Sequence, residues 1–280
     1  MAPTGSTRLA AVIGAPVRHS LSPVLMNAAF DATGLDWTYV ALEVPAERLP
    51  DALVGVRALG IAGLSVTMPH KDTAAAHVDE LSPVASRLGA VNCIANVDGV
   101  LVGHNTDGEG FVRSLASDLG FSPTGRRCVV LGAGGAARSL VLSLARAGAE
   151  EVVIVNRTLE NAERAASLAG DRGRVVAPSL ARVDLGDADL VVNATSVGMD
   201  GVAAHELPCD PSAFHEGQVV VDLVYRPLVT TWIVEASSRG ARVANGVPML
   251  AHQAAVQFEI WTGRDAPIGA MTAAVADRLG

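Results

Sequence analysis

Three groups of residues in this chain have the types and spacing that chemistry needs. The first is Cys128-Val-Val-Leu-Gly-Ala-Gly-Gly-Ala-Ala-Arg138, an apolar run that breaks into glycines and then begins a helix. A buried strand would deliver Gly132 to a tight turn. The missing side chains of Gly134 and Gly135 would let a pyrophosphate approach the backbone at a helix N-terminus. That is a dinucleotide cradle, although Ala137 stands where the G-x-G-x-x-G fingerprint has its third glycine, and a purely structural turn is the other reading. The second group is Ser20-Leu-Ser-Pro23. Two hydroxyls beside a helix N-terminus make a small carboxylate site, or Ser22 is an N-cap with Pro23 in the first helical position. The third is a set of polar residues near strand ends. Lys71 follows a strand where open α/β sheets place ligands, Asn92 is polar among apolar neighbours, and Asp107 precedes a helix. Each has a plain alternative: a solvated helix-start lysine, a structural hydrogen-bonding clip and an N-cap.

The elements that would hold these residues alternate between two periodicities. Strands are expected over 8–13, 37–44 and 61–67, with helices over 22–33, closed by Gly34, and 45–59. Strand and helix in turn imply parallel pairing with crossovers. A helix over 82–88 follows, and then a hairpin of 91–97 with 100–102 across Asp98-Gly99. The next helix carries Phe111, Leu115 and Leu119 on one face and stops at Gly120. The Gly, Ser, Pro and Thr of 120–127 read as a seam between domains. Beyond it, a helix over 136–147 and strands over 128–131, 151–155, 189–193, 218–223 and 242–244 describe a doubly wound sheet. A helix over 249–262 places Gln253 and Gln257 one turn apart on one face, and a last helix spans 272–279. The sheet is complete by Asn245, so the final helices are expected to fold back onto the first domain.

Bulk properties narrow the function classes. The 280 residues hold two modest domains, and 50% hydrophobic composition supplies a core for each. Net charge −8 argues against nucleic acid and anionic membrane, which want clustered Lys and Arg. Cys93, Cys128 and Cys209 are far apart and lack C-x-x-C spacing, so neither a disulfide framework nor a zinc site is expected, and the chain reads as a reduced, cytoplasmic protein. The seven histidines do not cluster at ligand spacing, and no metal is expected. The short apolar run after Arg8 ends too early for a signal peptide or a membrane span.

Taken together, the motifs resemble the shikimate dehydrogenases over nearly the whole chain. The matching pieces are Ser20-Leu-Ser-Pro23, Ser65-Val-Thr-Met-Pro-His-Lys71, Gly89-Ala-Val-Asn92, Asn105-Thr-Asp-Gly108, Gly132-Ala-Gly-Gly-Ala136, Asn156-Arg-Thr158, Asn193-Ala-Thr-Ser196 and Asn245-Gly-Val-Pro-Met-Leu250, followed by Gln253. The resemblance implies an α/β protein of two domains with a cleft between them. A mixed or parallel substrate domain would comprise 1–107 plus about 246–280, and a Rossmann-like NADP domain about 108–245. It implies reversible, NADPH-dependent reduction of 3-dehydroshikimate to shikimate, in the shikimate pathway to chorismate and the aromatic amino acids. Small molecules would be the partners, and the chain a monomer or homodimer. Carried over by position, Ser20 and Ser22 would hold the substrate carboxylate with Tyr225 nearby, and Thr67, Asn92, Asp107 and Gln253 would bind ring hydroxyls. Lys71 and Asp107 would form the catalytic pair. Gly132, Ala133, Gly134, Gly135, Ala136, Asn156, Arg157, Thr158, Thr195, Leu223, Gly246 and Met249 would bind the cofactor.

The residues themselves make chemical sense of this assignment. Hydride addition to a ketone develops alkoxide charge and needs a proton donor, and alcohol oxidation needs a base in the same place. Lys71 suits the proton transfer, and Asp107 suits its orientation. At the end of the second strand of the nucleotide domain, an NAD enzyme usually carries an acid that a 2′-phosphate would oppose. This chain has Asn156-Arg157-Thr158, a guanidinium with two neutral hydrogen-bonding neighbours, which favours the phosphate. Two departures stand out. Asn161 occupies a position often basic in the family, with Arg164 one turn later, which makes the preference for NADP less strict; Pro248 stands where glycine is common. The rival readings are an NAD-dependent quinate or aminoshikimate dehydrogenase and a non-catalytic NADP-sensing regulator. The latter would be marked by loss of Lys71 or Asp107.

Overall fold

The computed structural model describes residues 2–176, 185–201 and 207–279. The chain forms two compact α/β units, one of Met1–Thr106 with Ala251–Gly280 and one of Asp107–Leu250. The first begins with β1 (Arg8–Gly14), α1 (Ser22–Thr33), β2 (Trp37–Glu43), α2 (Leu49–Leu59) and β3 (Gly63–Val66). It continues with α3 (Lys71–Ala75), β4 (Glu80–Leu81), α4 (Pro83–Leu88), β5 (Cys93–Val97) and β6 (Val100–His104). The six strands form one sheet in the order β2-β1-β3-β5-β6-β4. β1 lies parallel to β2 and β3, whereas β3, β5 and β6 pair antiparallel in turn, so the sheet is mixed. The hairpin closes with Val97 opposite Val100, and Asp98 and Gly99 both have positive φ (51° and 90°), as a two-residue primed turn requires. One apolar core joins Ile13, Leu64 and Ile94 of the sheet to Leu49 and Leu53 of α2.

The second unit contains α5 (Asp107–Leu119), β7 (Arg127–Leu131), α6 (Gly135–Arg146), β8 (Glu151–Val155), α7 (Leu159–Ala166) and β9 (Gly173–Val176). β10 (Leu190–Asn193), β11 (Val219–Asp222), α8 (Thr231–Ser238) and β12 (Arg242–Ala244) follow. Its strands are all parallel, in the order β12-β11-β10-β7-β8-β9. The order reverses between β7 and β10, and such a switch point is where doubly wound sheets take ligands, outside the C-terminal ends of the strands. Both faces are covered. Val130 and Ile154 pack with Phe111 and Leu140 on one side, and Val129 and Val191 with Trp232 on the other, which is why these strands are apolar runs without alternation.

The chain then enters α9 (Gly246–Thr262) and α10 (Ile268–Leu279). From Ala251 onward these residues belong to the first unit. α10 packs on α1, the Phe258 ring lies 5.6 Å from that of Phe30, and Trp261 Nε1 donates to the carbonyl of Ile94 at 3.0 Å. Gly63 makes room for this indole, since a Cβ there would lie 2.5 Å from Trp261 Cε2.

The structure departs from the sequence expectations in several places. The break between units falls after Thr106, and 120–127 lies inside the second unit, because Phe111 and Leu115 of α5 are part of that unit's core. α5 and α6 also approach closely at Gly108, where a Cβ would come within 2.8 Å of Ser143 Cβ. Ser22 is not an N-cap: Leu21 holds that position without a side-chain cap, and Pro23 sits in the first turn. The expected helix over 45–59 opens with a separate 3-10 turn, Ala46–Arg48. Asn92 immediately precedes β5, its N–H donating to the His104 carbonyl at 3.0 Å. α9 and α10 start earlier than periodicity suggests, and α3, α7, α8, β4 and β9 are additional elements. Among the described residues, no helix is long and apolar enough to cross a membrane.

Candidate active site

In the first unit, five parts of the chain supply the polar residues. Ser20 and Ser22 flank the start of α1. The Ser20 hydroxyl accepts from the Ser22 N–H at 3.2 Å and donates to the Ser22 hydroxyl at 3.2 Å, which brings the pair together. Thr67 follows β3, and its N–H donates to the Ile13 carbonyl at 3.0 Å. Gly14 lies against its methyl group, 2.5 Å from a hypothetical Cβ. Lys71 is the first residue of α3, and its carbonyl accepts from Val91 N–H at 2.9 Å, which joins the helix start to the segment carrying Asn92. His70 beside it is buried, with Nε2 at 2.7 Å from the Val44 carbonyl, a structural fastening.

Asn92 and Gln253 come together through Thr106, a residue sequence reasoning did not single out. Asn92 Oδ1 accepts from Thr106 N–H at 2.8 Å, Asn92 Nδ2 donates to Thr106 Oγ1 at 3.0 Å, and Thr106 Oγ1 donates to the Gln253 carbonyl at 3.1 Å. Gln257 Nε2 donates to Gln253 Oε1 at 2.8 Å. Ser65 and Tyr39 extend the cluster from Gln257, with the Tyr39 hydroxyl donating to Ser65 Oγ at 2.5 Å. Burial pushes the Tyr39 phenol well above its usual range, so it acts as a neutral donor. Only Gln257 among these additions left a signal in the sequence, the one-turn spacing from Gln253.

In the second unit, Gly132 ends β7 with φ +111°, a conformation that suits glycine. A Cβ there would lie 3.0 Å from the Ala194 carbonyl and 3.1 Å from Thr195 Cγ2, so the glycine turn and the Thr195 loop are in contact. Gly134 is the N-cap of α6 and supplies no side-chain cap; Cβ positions at Gly134 and Gly135 would meet nothing within 4 Å. A helix start with no side-chain cap, and with open space where side chains at 134 and 135 would stand, fits the phosphate group of a dinucleotide. Ala133 and Ala136 flank it. Gly132 N–H donates to the Val155 carbonyl at 2.8 Å, which puts the segment Asn156-Arg157-Thr158 beside the turn. Asn156 Nδ2 donates to the Thr158 carbonyl at 2.9 Å, while Arg157 and Thr158 are exposed. The Arg164 guanidinium is tied to Asn161 Oδ1 at 2.5 Å.

Behind the Thr195 loop is a buried carboxylate that the sequence did not reveal. Asp222 accepts from Asn193 Nδ2 at 2.8 Å, Val224 N–H at 3.1 Å and Thr230 Oγ1 at 2.7 Å. Asn193 Oδ1 accepts from Thr195 Oγ1 at 2.6 Å, so one acid fixes the loops after β10 and β11. Burial raises the Asp222 pKa against the opposing pull of these hydrogen bonds. Leu223 follows directly, and its carbonyl is so close to Gly246 that a Cβ at 246 would collide with it. Met249 joins the core of this unit. Burial raises the Tyr225 phenol pKa, partly offset by Arg226. Asp107 is the first residue of α5 and is buried. Among the described residues no group of His, Cys, Asp or Glu is placed to hold a metal ion.

Comparison with known proteins matches the chain to one family over most of its length. Residues 12–94 match the family model of the shikimate dehydrogenase substrate binding domain, 114–225 that of shikimate / quinate 5-dehydrogenase, and 246–276 that of the shikimate 5'-dehydrogenase C-terminal domain. The chain is 46% identical to a shikimate dehydrogenase (NADP(+)) of Moorella thermoacetica, over 98% of this chain and 95% of that one. A crystal structure of a shikimate dehydrogenase in complex with NADP+ superposes with a TM-score of 0.93 at 37% identity, covering 100% of this chain and 98% of the other. Shikimate 5-dehydrogenase from Thermus thermophilus, in complex with NADP(H) and shikimate, gives 0.88 at 40% identity, with coverages of 98% and 100%.

Proposed function

Because the chain belongs to the shikimate dehydrogenase family, we propose that it interconverts 3-dehydroshikimate and shikimate with NADP(H), in the cytoplasm, as a monomer or homodimer. The observation that carries the reading is the presence in one chain of the uncapped glycine cradle at α6 and the buried amide cluster of Asn92, Thr106 and Gln253. NADPH supplies the hydride for the ring ketone. Gly132, Gly134, Gly135 and the adjoining Ala133 and Ala136 hold its pyrophosphate, Asn156, Arg157 and Thr158 its 2′-phosphate, and Thr195, Leu223, Gly246 and Met249 its nicotinamide end. Ser20 and Ser22, with Tyr225, hold the substrate carboxylate, and Thr67, Asn92 and Gln253 its ring hydroxyls. Lys71 gives a proton to the oxygen that gains charge during reduction and takes it back during oxidation, and Asp107 orients the ammonium.

The test follows absorbance of the reduced nicotinamide with shikimate or quinate against NADP or NAD. Shikimate with NADP should give the highest kcat/KM, and a lead for quinate with NAD would overturn the assignment. In the same assay Lys71→Ala should lower kcat by about 10²- to 10⁴-fold while shikimate still binds. Unchanged turnover would remove Lys71 from the proton transfer.

A further inference from the structure

We infer that Asp222, beyond fastening the loops after β10 and β11, acts on the cofactor through its charge and strengthens binding of the oxidised nicotinamide relative to the reduced one. The inference rests on the placement of the nicotinamide end at Thr195, Leu223, Gly246 and Met249. An oxidised nicotinamide ring carries a positive charge and a reduced one is neutral. A fixed negative charge close by therefore separates two molecules of nearly the same shape.

The hydrogen bonds around Asp222 suit a carboxylate. Asn193 Nδ2 at 2.8 Å and Val224 N–H at 3.1 Å both donate to Oδ1, and the Thr230 hydroxyl donates to Oδ2 at 2.7 Å. The orientation of the Asn193 amide is fixed from its other side. Thr195 N–H, which can only donate, meets Asn193 Oδ1 at 3.1 Å, and Nδ2 also donates to the Val197 carbonyl, which can only accept, at 3.0 Å. All three donors to Asp222 are neutral, so they steady its negative charge without cancelling it. Water is kept away. Asp222 and Asn193 are each 0% exposed and Thr230 2%. The turn at Gly198 lies over the acid, where a Cβ would stand 4.0 Å from Oδ2. A charge in so dry a place is weakly screened, and its field carries further than that of a surface acid.

The acid is joined to both loops assigned to the nicotinamide. Thr195 Oγ1 donates to Asn193 Oδ1 at 2.6 Å, so Thr195 stands two hydrogen bonds from the carboxylate. Leu223 is its neighbour in the chain, and Leu223 N–H donates to the Asn193 carbonyl at 3.0 Å. β10 and β11 are adjacent strands, with Asn193 opposite Asp222, and these loops leave their C-terminal ends beside the switch point of the sheet. Asp222 acts through these loops, as a positioning residue.

Calorimetric titration at pH 8 with NADP+, NADPH and 2′-phospho-ADP-ribose, which lacks the nicotinamide, tests this. Asp222→Asn removes the charge and nearly keeps the shape. It should weaken NADP+ about three- to tenfold more than NADPH and leave 2′-phospho-ADP-ribose within about twofold. Thr230→Val takes one hydrogen bond from the acid but keeps its charge, so the ratio of the two Kd values should stay within about twofold of wild type. Should Asp222→Asn fold poorly, Asp222→Ser removes the same charge, can still accept from the N–H two residues on, and gives the same readout. Equal weakening of NADP+ and NADPH in the Asp222 variants, or weakening of 2′-phospho-ADP-ribose as large as that of NADP+, would make the acid a clamp only and overturn the inference. Thr195→Ala is the control for the placement. If it weakens NADP+ and not 2′-phospho-ADP-ribose, the placement stands whatever the Asp222 variants do. If it leaves NADP+ binding unchanged, the placement falls and this inference falls with it.

Discussion

The proposed choice of cofactor can be tested at one side chain, Arg157. It is exposed after β8, and a guanidinium there can form charge-assisted hydrogen bonds to a 2′-phosphate. Arg157→Ala should raise the KM for NADP about tenfold or more and leave the KM for NAD nearly unchanged. Asp222 is a different case, a buried acid holding Asn193, Val224 and Thr230. Asp222→Asn keeps one side-chain oxygen for Asn193 and Val224 but takes away the acceptor of the Thr230 hydroxyl, and should cost about 1–3 kcal/mol in urea unfolding. Burial raises the folded-state pKa of Asp222 above its unfolded value, so its proton-linked stability is full below the unfolded value and is lost as pH rises through the folded one. The margin of wild type over Asp222→Asn should therefore narrow with rising pH across that window. Lys71, Asn92 and Asp107 could be proposed from the sequence because a polar residue near a strand end is conspicuous. Asp222 and Thr106 could not, because the hydrogen bonds that give them meaning reach other elements, to Asn193 from Asp222 and to Asn92 and Gln253 from Thr106.

At the scale of elements, the close approach of Gly63 to Trp261 registers α9 against β3. Gly63→Ala forces either the indole or the strand to move, and thermal unfolding should show a loss of about 1–3 kcal/mol. Most strands of the second unit and the helices α1 and α5 could be read from periodicity and from the glycines that end them. The start of α9 could not. Gly246 and Pro248 look like breakers, yet proline costs little in a first turn, where its missing N–H has no intrahelical partner. Gly246 is there because the Leu223 carbonyl leaves no room for a Cβ. α7 was equally hard to read, since the apolar face it buries consists only of Ala162, Ala165 and Ala166 and gives weak contrast.

For the whole molecule, the alternation of strand and helix was visible, and the family resemblance put the break near 107, whereas composition alone pointed to a seam at 120–127. Gly, Ser and Pro at 120–127 mark a surface loop, and only packing shows that α5 on its near side belongs to the second unit's core. The thiols offer a global probe of these cores. Cys93 and Cys128 are buried and Cys209 is half-buried; burial pushes Cys128 and Cys209 up to about 12 and Cys93 higher still. All three should react slowly with a disulfide reagent at pH 8 and rapidly once urea unfolds the chain, and fast native reaction of Cys93 or Cys128 would contradict the packing described. The return of α9 and α10 to the first unit also bears on synthesis at the ribosome. A nascent chain that has emerged only as far as residue 250 already contains every strand of the second unit, while Phe30 and Gly63 still lack Phe258 and Trp261. The part translated later should thus become protease-resistant first, leaving the earlier-made sheet dependent on chaperones until the last helix is released.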